Sequence, residues 1–209
     1  MDGNRSWLLP LIGVLFIIVS IVSFAIAGEP PDPDEGVNEV VDFYKDNDGA
    51  IQAGSLLEGL AGALFIFWGG VFRKIFRPAE GEGAGASLVA FAGTIVFAIG
   101  LAIDGMINFA AAETVEDVDP TAIQALHALW SNDFIPLAIG ILVFLVGLGI
   151  TILRTDVVPR WLGWAAIVMA VFGLTPLWFV PFIGSALLVL ALSIMLALRA
   201  RRGATPAAT

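Results

Sequence analysis

Apolar residues fall along the chain in long runs separated by short polar stretches. Six runs stand out: Trp7 to Ala27, Gln52 to Phe72, Ser87 to Asn108, Phe134 to Leu153, Trp161 to about Thr175 and Val180 to Leu198. A bilayer core about 30 Å thick takes roughly 20 helical residues, so this pattern predicts a bundle of six membrane-spanning α-helices. The last two runs are short. Between them Pro176-Leu177-Trp178-Phe179-Val180-Pro181 predicts a tight apolar hairpin near an interface. The whole chain, 1–209, reads as a single all-α transmembrane domain.

Two polar stretches, 28–51 and 109–133, predict loops on one side with structure of their own. After the extended, Pro-rich Glu29 to Asp34, the positions Val37, Val40, Val41 and Tyr44 form one apolar stripe on a short helix with acids on its other face. Asp119-Pro120 reads as an N-cap followed by proline at the first helical position. It opens a helix from Thr121 to Trp130 with Ile123, Leu126 and Trp130 along one side. Short surface helices covering the span ends, or a lid over an outward-facing cavity, both fit this pattern.

Composition sharpens the class. The 209 residues are 58% hydrophobic and 14% charged, whereas soluble domains are about a quarter charged. Charge then orients the bundle. Arg5 precedes the first run, Arg73, Lys74 and Arg77 follow the second, Arg154 and Arg160 follow the fourth, and Arg199, Arg201 and Arg202 follow the sixth. With six spans and both termini cytoplasmic, all nine lie on the cytoplasmic side, as cations beside spans do. Only Lys45 falls outside, among the thirteen acids of the two exterior loops. The expected location is therefore the cell (inner or cytoplasmic) membrane, crossed several times. Arg5, an apolar stretch and Ala25-Ile26-Ala27 also resemble a secretory signal, but a signal core is about 7 to 15 residues, and the longer run favours a retained span.

The same composition excludes several functions. A net charge of −9, with the cations tied to span ends, leaves no basic face for nucleic acid. With no Cys and a single His, His127, the chain lacks thiolate chemistry, iron–sulfur ligation and His-rich metal motifs. No cofactor, metal or catalytic residue is expected. The expected partners are the lipid bilayer and either another membrane protein or a second copy of this chain.

Two acids remain inside apolar runs, and an ionisable residue at membrane depth is a functional candidate. Glu58 lies 15 residues from Arg73 and Asp104 lies 17 from Ser87, placing both roughly 22 to 26 Å from the basic boundary. Asp104 shares a helical face with Gly100 and Asn108, while Ser55, Glu58, Gly59, Gly62 and Gly69 form a small-residue seam on the second span. No Lys or Arg lies in a span to neutralise either acid. Gln52, Ser55, Asn108, Asn132, Asp133 and His127 are the expected neighbours. Two carboxylates together without a cation make a candidate proton site; acids that hydrogen-bond neighbouring helices are the alternative. The six tryptophans, Trp7, Trp68, Trp130, Trp161, Trp164 and Trp178, fall near span ends and read as interfacial anchors.

The segment Val158-Pro159-Arg160-Trp161-Leu162-Gly163-Trp164-Ala165-Ala166, after a span ending in Arg154, resembles one recurring in uncharacterised multi-pass membrane proteins of high-GC actinobacteria. The resemblance runs from about Leu126 onward. It implies an architecture and supplies no reaction or ligand.

Three functions fit these features. The first is an accessory, binding or regulatory membrane protein, favoured by the absence of a catalytic motif. The second is a small proton- or cation-coupled carrier using Glu58 and Asp104, lined by Asn108, Gln52 and Ser55. The third and weakest is a membrane hydrolase pairing Glu58 with His127.

Overall fold

The computed structural model describes residues 3–81, 85–173, 175 and 179–203, with side chains from Trp7 onward. Among these residues the regular structure is helical. A 3₁₀ segment, Gly3–Leu11, carries Pro10, which has no N–H to give a helical ladder, and continues into α1, Ile12–Ile26. There follow α2 (Val37–Asp46), α3 (Asp48–Phe76), α4 (Ala86–Thr114), α5 (Pro120–Trp130), α6 (Phe134–Arg154), α7 (Arg160–Phe172) and α8 (Phe179–Arg201).

Among the described residues five segments are long and apolar enough to cross a membrane: Trp7–Ile26, Asp48–Ala79, Ala86–Thr114, Pro120–Arg154 and Phe179–Arg201. The run expected as a fifth span holds the 13-residue α7, an apolar helix about 20 Å long and shorter than those five. Of the expected hairpin, Pro176, Leu177 and Trp178 lie outside the described residues, and Phe179, Val180 and Pro181 form the first turn of α8. Proline is tolerated there because first-turn N–H groups have no helical acceptor.

The helices α3 and α4, 29 residues each, outrun the apolar runs that predicted them. Packing keeps their polar overhangs helical. Ile51 of α3 and Ala111 and Ala112 of α4, with Val115 just beyond, bury against Val40, Val41 and Tyr44 of α2 and Ile123 of α5. Hydropathy registers contact with lipid, whereas this second small core needs only an apolar stripe. Residues expected in loops at 48–51 and 109–114 are therefore helical.

Contacts between helix ends fix the alternation of direction. After α3, the Glu80 carboxylate accepts from Ser87 N (2.7 Å) and Ser87 Oγ (2.6 Å) at the start of α4, and from Thr151 Oγ1 (3.3 Å) near the end of α6. Arg199, near the end of α8, donates to Val157 O between α6 and α7. The Arg201 guanidinium stands 5.8 Å from the ring centroid of Trp7. The described cations other than Lys45 thus gather at one end, the basic end, and the acid-rich segments at the other, the acidic end.

Toward the basic end, α3 carries an aromatic column on one face. Phe65, Trp68, Phe72 and Phe76 follow one another at centroid distances of 6.0, 5.7 and 4.3 Å, with Phe16 of α1 stacked on Phe65 at 4.6 Å. Trp68 is consequently not an interfacial anchor. It is 1% exposed, and its indole N–H donates to Ser193 Oγ of α8 at 2.9 Å, because its helical face turns toward α1 and α8. Trp161 and Trp164 do point outward, at 63% and 60% exposed, while Leu162 between them is buried and Gly163 packs on α6. Gly59 leaves the expected seam and is exposed, whereas Gly62 and Gly69 meet Ala98 and Thr94 of α4.

Candidate functional site

At the acidic end the ends of α3, α4, α5 and α6 bring together three carboxylates. Glu58 and Asp104 are 5% and 8% exposed, and Asp133 at the start of α6 is half-buried. Gly105 makes room for the pair: a Cβ there would stand 3.0 Å from Glu58 Oε2 and 2.9 Å from Ser55 O. The Asp104 carboxyl is near enough to those of Glu58 and Asp133, and to the Trp130 indole, for their charges and dipoles to act on it. Glu58 Oε2, Asp104 Oδ2 and Asp133 Oδ2 are nevertheless buried with no donor, and Trp130 Nε1–H is buried with no aligned acceptor. Charged carboxylates only accept, so buried oxygens without a donor call for a proton or a donor brought by a ligand. Lys45, the one cation of this end among the described residues, is exposed on α2. Among the described residues no three His, Asp or Glu side chains are arranged to hold a metal ion.

Glu58 also borders a cavity of about 180 Å³. Its polar lining is Glu58, Ser55, Asn108, Ser23 and Trp130, and its apolar wall includes Phe24, Phe43 and Ile51, with Gly28 and Pro30 of the strap after α1 at its rim. Ser55 Oγ donates to Ile51 O and Ser23 Oγ to Ser20 O, so both hydroxyl protons are engaged within their own helices. Asn108 is held from behind, its Oδ1 accepting the Tyr44 hydroxyl at 2.8 Å.

The rest of the predicted set divides. His127 is fully buried and does not line the cavity. Its Nε2 is 3.1 Å from Pro31 O, and because a carbonyl only accepts, Nε2 carries the proton and donates. Its Nδ1 is 3.3 Å from the Tyr44 hydroxyl. Gln124 of α5 supports the same strap by donating to Glu35 O at 3.2 Å. Asp119 caps α5, accepting from Thr121 N and Thr121 Oγ1, and these two bonds hold its carboxyl below the usual range. Gln52 turns away to Glu113 and Asn132 to Ala128 O. The structure therefore gathers Glu58, Asp104, Asn108, Ser55 and Asp133, seats His127 as a strap anchor, and leaves Gln52 and Asn132 at the periphery. Tyr44 was legible only as an apolar-stripe position, and Trp130 as a stripe position and an interfacial anchor. The single usable signal was that Tyr44 is the sole tyrosine, placed on a helix rich in acids.

Tyr44 offers a direct check of this layer. Burial, and secondarily the charge of Asp104, push its phenol well above the ordinary tyrosine value of about 10. A raised phenol favours the protonated, folded form, so its stabilising contribution is complete below the unfolded value and is lost as pH rises through the folded one. With one tyrosine in the chain, tyrosinate absorption should stay absent above the ordinary value and appear only as the acidic end opens. Titration at the ordinary value in folded protein would contradict the burial.

A family model described as Domain of unknown function (DUF4386) matches residues 11–200. No curated protein and no solved structure matches the chain.

Proposed function

Because the chain belongs to the DUF4386 family, whose description assigns no activity, we propose a function from the geometry alone: a binding protein of the cytoplasmic membrane, with both termini inside and a ligand pocket facing out. In this reading α7 completes six crossings. Three features support it. The cations gather at one end. Ala170 and Gly173, at the end of α7, share a small cavity with Pro181 and Phe182 at the start of α8. Gly184 packs on Met169. The helix α7 therefore climbs from the basic end to meet the start of α8.

The observation that carries the binding reading is the donor-less carboxylate group beside a cavity of about 180 Å³. An apolar cavity of about 150 Å³ accepts benzene, so this one has room for a single ring and a short arm. An ammonium brings three N–H donors and no acceptor, and Glu58 is the carboxylate of the cavity lining that can accept from it. Phe24, Phe43 and Trp130 offer faces to its apolar body. The ligand class is thus a small organic ammonium with an apolar body. A carrier would also need a route past Glu58 toward the inside, and there the column of Phe65, Trp68, Phe72 and Phe76 fills the bundle, each residue no more than 2% exposed. Binding is therefore preferred to passage. The hydrolase reading lacks support because His127 is spent on Tyr44 and Pro31.

The test uses the Cys-free chain. A thiol at Ser55 (Ser55→Cys) should react with a membrane-impermeant maleimide from outside intact cells, and one at Ala200 (Ala200→Cys) only after permeabilisation. Phenethylammonium should bind the purified protein saturably and protect the Ser55 thiol. Glu58→Gln should weaken it by at least about ten-fold, since a hydrogen bond to a charged group is lost. Equal binding of phenethyl alcohol, or unchanged affinity in Glu58→Gln, would remove the assignment.

A further inference from the structure

The basic end holds a second concave site, unrelated to the carboxylates. A groove of about 630 Å³ runs between the α6–α7 connection and the last turns of α8. Three arginines line it, Arg160, Arg199 and Arg202, against one acid, Asp156. They arrive from two elements that are far apart in sequence and are clamped together. Arg199 is half-buried and donates to Val157 O, which fixes the connection against α8. Arg160 and Arg202 are exposed on either side. The 13-residue α7 also starts at this groove, whose lining includes its N-cap Pro159 and first residue Arg160; it has no side-chain cap, so the positive end of its dipole lies at the site. Arginine forks and a helix N-terminus together suit the oxygens of a phosphate.

The surroundings say which phosphate. Trp161 and Trp164, on the first turn of α7, stand out from the bundle at 63% and 60% exposed, as tryptophans do at headgroup depth. Beside the groove α8 exposes Leu198 and Ile194, at 46% and 44%, an apolar surface on which acyl chains can lie. Its floor, Val157, Val158 and Met195, is apolar as well. A free anion would use the arginines and leave the rest unused; an anionic phospholipid uses both. We propose that this groove binds the phosphate of an anionic phospholipid headgroup, with Arg160 and Arg202 as its charged jaws and Arg199 as the residue that holds the groove in shape. The segment Pro159 to Trp164 thereby acquires a role: proline starts the helix, Arg160 meets the headgroup, the two tryptophans set the depth, and Leu162 and Gly163 seat the helix on α6.

The test is a titration of the purified full chain in neutral detergent with phosphatidylglycerol, phosphatidylcholine or inorganic phosphate, read as the rise in unfolding temperature. Phosphatidylglycerol should stabilise the protein saturably, and phosphatidylcholine and inorganic phosphate should not. Each of Arg160→Gln and Arg202→Gln should weaken phosphatidylglycerol about five-fold and the pair about thirty-fold, the loss expected for arginines near an anionic surface. Asp156→Asn should tighten it by up to about five-fold, a gain that misfolding cannot imitate. Arg154→Gln, a cation of the same end outside the groove, should leave it unchanged. Equal affinity in the Arg160/Arg202 double variant, or an equal loss in Arg154→Gln, would overturn the site. Stabilisation by inorganic phosphate at matching concentration would overturn the lipid as its occupant.

Discussion

Leucine in place of Gly140 should cost about 3 kcal/mol or more, the upper range for overpacking, and leave α4 and α6 unable to close on each other. The reason is backbone contact. A Cβ at Gly140 would overlap the backbone nitrogen of Phe97, lie 2.6 Å from its Cα and 2.8 Å from its Cβ. The relation is reciprocal along the pair: a Cβ at Gly93 would overlap the backbone nitrogen of Phe144, and one at Gly147 that of Ala90. None of these neighbours is a side-chain tip that can swing aside, so a side chain is accommodated only by separating two helices. In lipid the loss is large because association rests on close packing rather than on expelling water. Gly59→Leu is the matched control. Nothing lies within 4 Å of its Cβ position and the residue is exposed, so its stability should stay within about 0.5 kcal/mol of the parent. Unfolding in detergent, followed by circular dichroism, compares the two, and similar losses in both would refute the α4–α6 geometry.

The second large effect concerns the cover of the cavity. His127→Ala should cost roughly 3 kcal/mol, by the ordinary cost of truncating a large buried side chain together with the lost hydrogen bond to Pro31 O. That loss falls on the strap and α2 rather than on the spans. His127 joins Tyr44 on α2 to Pro31 on the strap, with T-shaped packing on the Tyr44 ring at 5.8 Å between centroids. Without it the strap keeps the weaker tie from Gln124 to Glu35 O. In the Ser55→Cys background, the open fraction and hence the thiol-labelling rate should rise on the order of a hundred-fold while helix content is unchanged. His127→Gln, which can still donate to Pro31 O, should fall between. An unaltered labelling rate in His127→Ala would mean that the strap is held by something else.

Much of this protein was legible residue by residue. The stripe Val37, Val40, Val41 and Tyr44 became α2 with Val40, Val41 and Tyr44 buried, and Asp119-Pro120 opened α5 with Asp119 accepting from Thr121 N. Both signals are local, an apolar period and a capping side chain, so the sequence carries them in full. Helix ends were less legible, because the overhangs of α3 and α4 are stabilised by partners distant in sequence. Trp68 failed for a similar reason. Nearness to a span end suggested an interface, but the azimuth of its helical face, set by packing with Gly13 and Ser193, turned it inward.

By itself the sequence determined the helical class, the separation of charge and the places of Glu58 and Asp104 along their apolar runs, because hydropathy, cation placement and rise per residue are one-dimensional quantities. Only the tertiary structure decided that Asp133 joins these two acids, that His127 anchors the strap while Gln52 leaves for Glu113, and that Arg160 and Arg202 face one groove. Those are relations of azimuth and register between helices. They depend on which glycines let which backbones touch, and that choice is made by packing across residues far apart along the chain.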